Sequence, residues 1–178
     1  MRVEAGPATL TQEIVDTPIG GLALIADEAG ALRMVEFADC LDRIERWLKR
    51  ALNRHGSSLR DGRVSETLRA GFAAYFAGNL SALDAMPVKL GGTTFQNEVW
   101  TALRRIEPGR TFGYGAFAER LGRPQSARAV GHANGANPLA IVVPCHRLVG
   151  ADGDLTNYGG GIERKRWLLD HEGRYAGR

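Results

Sequence analysis

The stretch Met86-Pro87-Val88-Lys89-Leu90-Gly91-Gly92 constrains this chain more than any other feature, because the sequence changes style across it. It reads as a strand ending in a flexible joint, so residues 1–91 and 92–178 are expected to form two units. Ahead of the joint, a turn at 17–21 leads into the apolar run Leu22-Ala23-Leu24-Ile25-Ala26. A second turn at 27–30 leads into Leu32, Met34, Val35 and Phe37. Short apolar runs between such turns predict an antiparallel meander. A helix over 42–52 follows, with Ile44, Trp47, Leu48 and Leu52 at helical spacing. Another spans 65–76, capped by Ser65 and stopped by Gly78. The first unit is therefore α/β: a small antiparallel sheet flanked by helices.

Behind the joint the chain reads as mostly helical. Phe95, Val99, Leu103 and Ile106 mark one face of a helix over 94–106, ended by Pro108-Gly109. A short helix over 114–121, a turn at 122–125 and a second helix over 126–133, with Ser126 as its cap, make a helix pair. Pattern alone favours a packed αα-hairpin over a DNA-reading helix-turn-helix. The second helix carries Arg128 among the small residues Ala127, Ala129, Gly131, Ala133 and Gly135, which would let it approach another surface closely. After a loop at 134–138, Leu139-Ala140-Ile141-Val142-Val143 reads as a buried strand that delivers the chain into Pro144-Cys145-His146-Arg147. Gly159-Gly160-Gly161 precedes a last helix over 163–171.

Composition closes off several classes. The chain has 178 residues, is 44% hydrophobic and 24% charged, and scatters its Gly and Pro, which excludes a fibrous or low-complexity chain. Cys40 and Cys145 are too few for a disulfide framework. With His55, His132, His146 and His171 they form no metal-ligand set, so neither metal nor other cofactor is expected. No apolar stretch approaches the roughly 20 residues of a membrane span. Residues 1–10 carry acid and proline where a secretory signal needs a basic end and an apolar run. The expectation is a cytoplasmic protein with reduced thiols and no membrane partner. The net charge of +3 is uneven: residues 1–89 hold 11 Lys and Arg against 12 Asp and Glu, and 90–178 hold 12 against 8. Lys165 is the only lysine of the second half. Arginine forks suit phosphates and base edges, but so small an excess fits a solvated face equally well.

Cys145 is the residue with chemistry. A cysteine becomes a nucleophile when nearby cations, a histidine or a helix N-terminus stabilise its thiolate. His146 could take the thiol proton directly or through one water. An isolated Cys-His pair is most often a core cysteine beside an unrelated exposed histidine. The apolar run ending at Pro144 and the glycine-rich loops on either side move the reading toward a site. Cys40 lacks such surroundings and reads as structural. The loop at 159–161 lacks the Gly-Lys-Ser/Thr pattern of a P-loop and follows no dinucleotide fingerprint. Close approach to a substrate, or simple passage into the last helix, suits it better.

Five motifs stand in order: Phe95-Gln96-Asn97-Glu98-Val99-Trp100, Ser126-Ala127-Arg128-Ala129-Val130-Gly131, Asn134 to Pro138, Val143-Pro144-Cys145-His146-Arg147, and Tyr158 to Gly161. With Thr17-Pro18-Ile19-Gly20 and Tyr75-Phe76-Ala77-Gly78 they closely resemble the O6-alkylguanine-DNA alkyltransferases, or methylated-DNA–protein-cysteine methyltransferases, above all the stand-alone bacterial members. The resemblance spans nearly the whole chain. It implies a ribonuclease-H-like first domain and a winged helix-turn-helix in the second. The implied activity is direct, irreversible transfer of the alkyl group from O6-alkylguanine, and by extension O4-alkylthymine, in duplex DNA to the protein's own cysteine. Each molecule acts once.

Under that resemblance Cys145 is the acceptor thiol, His146 the base through a water, and Glu172 completes the relay. Asn137 braces the active-site turn, and Tyr114 donates a proton toward guanine N3. Arg128 fills the hole left by the extruded nucleotide, on a helix whose Ser126, Ala127, Ala129 and Gly131 meet the minor groove. Tyr158, Gly159, Gly160, Val143, Pro144 and Arg147 line the lesion pocket, Arg147 in a structural rather than a catalytic part. The partner is double-stranded DNA, met by a monomer whose cooperativity is open, with no cofactor. Gly113 departs from the serine common in the family, Thr156-Asn157 precede Tyr158, and the zinc ligands some relatives carry are not assembled.

Three other classes compete. A non-catalytic, alkyltransferase-like lesion-binding protein would lack the acceptor that Cys145 supplies. A transcriptional regulator with an added methyl-sensing domain would not fit in 178 residues. A cysteine hydrolase would turn over.

Overall fold

The computed structural model describes residues 9–177, the side chains of 54 and 55 excepted, so the reading of residues 1–10 as lacking a signal falls almost wholly outside it. Strands β1 (Thr9–Val15), β2 (Leu22–Ala26), β3 (Leu32–Phe37) and β4 (Ser58–Asp61) form one sheet in the order β3-β2-β1-β4. The first three make the expected antiparallel meander, with Glu13 opposite Leu24 and Leu24 opposite Val35. The sheet as a whole is mixed rather than antiparallel. After α1 (Leu41–His55) crosses over, β4 lies parallel to β1. A parallel neighbour needs such a crossover. The run Ser58-Leu59-Arg60-Asp61 carries no apolar alternation, and only its pairing with β1 makes it a strand.

Both faces of β2 are covered, so all five of its residues are buried. Ala23 and Ile25 pack with Leu10, Met34 and Ile44 under α1. Leu22, Leu24, Val35 and Phe37 belong to a larger core that runs through α2 (Glu66–Phe76) into the second half. Ser65 caps α2, its side chain accepting from the Leu68 amide at 3.4 Å. Gly78 follows at φ +105°, a conformation that glycine adopts without strain.

The second domain contains α3 (Thr94–Leu103), α4 (Tyr114–Arg120), α5 (Ala127–Gly135) and α6 (Ile162–Tyr175), with a short parallel pair β5 (Phe112–Gly113) and β6 (Leu148–Val149). Helix α3 starts at a capping box between Thr93 and Gln96. Trp100 Nε1 donates to the Ala133 carbonyl at 2.8 Å and fixes α5 on α3.

Two local expectations need correcting. Ser126 occupies the cap position of α5, but its side chain makes no capping bond. The run at 139–143 is buried throughout yet is not a strand: only Leu139 bridges to Val35, and the chain turns at Ile141 with φ +69°. A continuous apolar run predicts burial, not extension. A β-branched residue at positive φ costs on the order of 1–3 kcal/mol and persists only where its surroundings hold it.

What holds it is the edge of the sheet. Strand β3 is an edge strand, whose free backbone groups need a partner. Leu32 N donates to Pro87 O at 2.8 Å, and Lys89 N to Leu32 O at 2.9 Å. Farther along, Val35 N donates to Pro138 O and Ala140 N to Val35 O, both at 2.9 Å. One strand therefore seats both the joint between the halves and the loop that leads to Cys145.

Candidate active site around Cys145

Cys145 opens a 3-10 turn over Cys145–Arg147 and is 7% exposed. The loop before it is closed by Asn137. Its Nδ2 donates to the carbonyls of Val143 (2.9 Å) and Leu139 (3.4 Å), and its Oδ1 accepts from the Leu139 amide at 2.9 Å. Asn134, from the buried side of α5, donates to the Cys145 carbonyl at 3.3 Å. The thiol is thus held through its backbone from two sides. Burial pushes the Cys145 thiol up, with Glu36 adding to the effect; the Asn137 side chain and the charges of Arg43 and Lys165 oppose it.

Behind the thiol lies a buried polar cluster centred on Glu172 of α6. Its Oε1 accepts from Tyr75 Oη at 2.9 Å and from Arg147 Nη2 at 2.8 Å, and lies 2.8 Å from His146 Nε2. Its Oε2 accepts from Arg147 Nε at 2.9 Å and from the Gly109 amide at 3.2 Å. Arg147 also donates to the Ile106 carbonyl. Burial alone would raise the Glu172 carboxyl. In the acid range where this carboxyl titrates, the charges of protonated His146 and of Arg147, with their hydrogen bonds, overcome this and hold it well below the usual carboxylate range. His146 is fully buried, and desolvation lowers its pKa against the attraction of Glu172. The imidazole is therefore neutral at pH 7. With Glu172 ionised, its Nε2 carries the proton and Nδ1 is left as the acceptor. His146 Nδ1 is a buried atom without a hydrogen-bond partner among the described residues.

The pocket beside the sulfur is small, about 10 Å³, and its wall includes Glu36, Arg43, Asn137, Cys145, Tyr158 and Gly160. The Tyr158 hydroxyl is buried without a partner among the described residues, and burial raises it well above the ordinary tyrosine range. Gly159 and Gly160 are there for close approach, but to the first domain: a Cβ on Gly160 would strike the Phe37 ring, and one on Gly159 would lie 2.7 Å from the Arg43 guanidinium carbon. Three residues expected at this wall lie elsewhere. Pro144 and Arg147 line a separate cavity of 280 Å³, and Val143 is buried as an acceptor for Asn137. Tyr114 and Arg128 line an outer groove that shares Arg43, Gly135, Asn137 and Asn157 with the pocket. Burial raises the Tyr114 hydroxyl, partly offset by the side chains of Thr156 and Asn134. On α5, Arg128 and Ala129 are exposed, Ser126, Ala127 and Gly131 half-buried, and Val130 and Ala133 face the core.

Several participants escape sequence reasoning. Glu36 sits 1% exposed on β3, accepts from the Phe37 amide at 3.0 Å, and pairs with Arg43 Nε at 2.5 Å. Arg43 then donates to the carbonyls of Gly135 (3.0 Å) and Asn137 (3.1 Å). Lys165 is fully buried, its Nζ donating to Leu148 O (2.6 Å) and Thr156 O (2.7 Å). A carboxylate inside the apolar run 32–37, and a lone lysine among arginines, were the signals available. Cys40 packs with its Sγ 3.6 Å from the Gly159 carbonyl.

A two-domain fold carrying a buried, backbone-braced thiol with a neutral histidine and carboxylate behind it defines a cysteine group-transfer protein joined to a helix-turn-helix. The comparisons are specific. Residues 10–90 match the ribonuclease-like domain of 6-O-methylguanine DNA methyltransferase, and residues 94–174 match the DNA binding domain of the same family. The methylated-DNA–protein-cysteine methyltransferase of Shigella flexneri is 48% identical over 168 residues, covering 92% of this chain and 96% of that protein. Mycobacterium tuberculosis OGT, in its crystal structure in complex with DNA, superposes with a TM-score of 0.75 at 39% identity, over 94% of both chains. The O6-methylguanine-DNA methyltransferase of Pyrococcus kodakaraensis gives 0.69 at 31% identity, covering 92% of this chain and 99% of that one. The chain belongs to the methylated-DNA–protein-cysteine methyltransferase family.

Proposed function

We propose that this protein repairs O6-alkylguanine in duplex DNA by moving the alkyl group onto its own Cys145, once per molecule. The observation that carries this reading is the contact of His146 with Glu172: with Nε2 2.8 Å from the carboxylate, Nδ1, buried and without a partner among the described residues, is the ring position left to take the proton of the adjoining Cys145. The thiol is protonated at rest because burial raises it. In the reaction its proton passes to His146 Nδ1, directly or through one water. The sulfur then attacks the alkyl carbon; an S–C bond forms and the C–O6 bond breaks. Tyr114 supplies a proton toward guanine N3, so the base leaves neutral. One proton leaves the sulfur for His146 and one reaches the base from Tyr114; the His146 proton is then released to solvent and the Tyr114 phenolate takes one back, so the charges balance.

An O6 substituent lies inside the stack, so the nucleotide must swing out, at a cost on the order of a few kcal/mol. Arg128, exposed on α5, fills the gap and offsets part of that cost. The small residues at 126, 127, 129 and 131 let α5 into the minor groove, whose edges read sequence poorly, so specificity falls to the pocket. The Tyr158 hydroxyl offers that pocket an unspent hydrogen bond. The same alkyl–oxygen chemistry extends to O4-alkylthymine. Because the acceptor is the protein's own thiol, the reaction closes within one monomer and without a cofactor. Two free thiols suit a reducing cytoplasm.

Intact mass spectrometry tests the reading. After incubation with duplex DNA carrying O6-methylguanine, the protein should gain one methyl on Cys145, stoichiometrically, and Cys145→Ser should gain none. Continued turnover, or an unmodified wild type, would overturn it.

A further inference from the structure

Two grooves beside the acceptor pocket join into one basic track, and alkyl transfer as described above uses only the Tyr114 and Arg128 side of it. The larger, 680 Å³, lies between α1 and α5; Arg43, Arg46, Trp47 and Arg50 line it from one side, Arg128 and His132 from the other. It shares Trp47, Arg50, Ala136 and Pro138 with a second groove of 510 Å³ that reaches Arg33, Lys89 and the start of α3. Among the described residues no Asp or Glu lines either groove; Asp42 and Glu45 of α1 stand outside both.

The cations of the track are not equivalent. Arg43 is committed to Glu36, and Arg33 lies 3.5 Å from Asp27. Arg46, Arg50 and Lys89 are exposed and form no ion pair among the described residues; Arg46 donates only to the Asp42 carbonyl, at 3.0 Å. Unpaired like charges gathered along a groove raise the local potential, and a polyanion seated there relieves it. The track also runs past Arg128 and Gly131 to Asn137 and Asn157, which are part of the acceptor pocket wall. A strand leaving the flipped nucleotide has a continuous positive path along it.

We propose that Arg46 and Arg50 of α1, with Lys89 of the joint, hold the phosphate backbone of the same duplex beyond the lesion, so that the first domain is part of the DNA-binding surface. This rests on the duplex-repair reading above. The contact is to backbone charge, so it adds affinity without sequence preference.

The test compares wild type, Arg46→Gln/Arg50→Gln and, as a charge control lining neither groove, Arg174→Gln. Binding to an O6-methylguanine duplex is measured across a salt series, and reaction with free O6-benzylguanine alongside. Each lost phosphate contact lowers the slope of log K against log salt by about 0.9, so the double variant should lose ~1.8. Its duplex affinity should fall severalfold at low salt, while the free-base reaction stays at the wild-type rate. A slope equal to that of wild type or of Arg174→Gln overturns the proposal while leaving duplex repair standing. An unchanged slope with altered cooperativity would assign the face to a second copy and also overturn it. Failure of wild type to bind the lesion duplex at all would sink the repair reading itself.

Discussion

Glu172 is the residue on which the site turns. It is fully buried and satisfied by Tyr75, His146, Arg147 and the Gly109 amide, so removing its charge leaves Arg147 buried without a counter-ion. Glu172→Gln should cost about 3 kcal/mol or more in denaturant unfolding and slow alkyl transfer, because the His146 tautomer loses its anchor. The pH dependence of stability follows from three shifts whose signs can be worked out. His146 is lowered in the folded state, so below about pH 6.5 the unfolded chain binds the extra proton and stability falls with acid. Glu172 is also lowered, which steepens the loss below about pH 4.3. Cys145 is raised, so above about pH 8.5 the unfolded thiol ionises first and stability falls again. Thermal midpoints measured from pH 3 to 10 should therefore peak near neutrality, and Glu172→Gln should flatten the steep acid limb. A wild-type midpoint that rises on acidification would contradict these assignments. In the sequence, Cys145 and His146 are conspicuous as neighbours after an apolar run. Glu172 has no such local signal and is named only through the family resemblance, because the fold brings it across from α6.

On the duplex-repair reading, helix α5 is tuned for its partner and not for its own stability. Gly131 lies mid-helix on the half-buried side, where a Cβ would sit an ordinary 3.8 Å from the Tyr114 ring. Gly131→Ala should therefore raise stability by about 0.5–1 kcal/mol. The same methyl, placed where the duplex approaches, should slow repair of O6-methylguanine duplex and leave reaction with free O6-benzylguanine unchanged. Parallel thermal melts and single-turnover rates check it; equal rates on the duplex would remove Gly131 from the interface. The helices themselves were legible: the 94–106 periodicity, the turn at 122–125 and the small-residue helix all appear near their expected places. The run at 139–143 was not, since its five apolar residues specify burial and leave the backbone path to its neighbours.

At the scale of the molecule, the first domain is a scaffold that sets the second domain's loop. Strand β3 pairs through its edge with 87–89 and 138–140, and the Glu36–Arg43 pair ties α1 to the end of α5 and to Asn137. Arg43→Met would leave the Glu36 carboxylate buried and unpaired, and is expected to cost about 3 kcal/mol. Glu36→Gln/Arg43→Met should recover part of that loss, because no bare charge remains. It should still react slowly with free O6-benzylguanine, since the Gly135 and Asn137 carbonyls have lost their donor. A double-mutant cycle by chemical denaturation reads the coupling. Additive losses would mean that the pair does not act as a unit.

The sequence by itself determined the two-part organisation, the meander, the helix pair and the single reactive thiol, because periodicity, turn residues and ordered motifs are local properties. It also carried the family, through motifs that span nearly the whole chain. Tertiary structure decided the parallel strand β4, the turn at Ile141, the partners of Glu172 and the bridge from Glu36 through Arg43 to Asn137. Each of these depends on groups far apart in the chain, brought together by burial and by backbone edges that must find partners. The joint at 86–92 belongs to both accounts: the sequence marks where the style changes, and the free edge of β3 makes that joint part of the sheet.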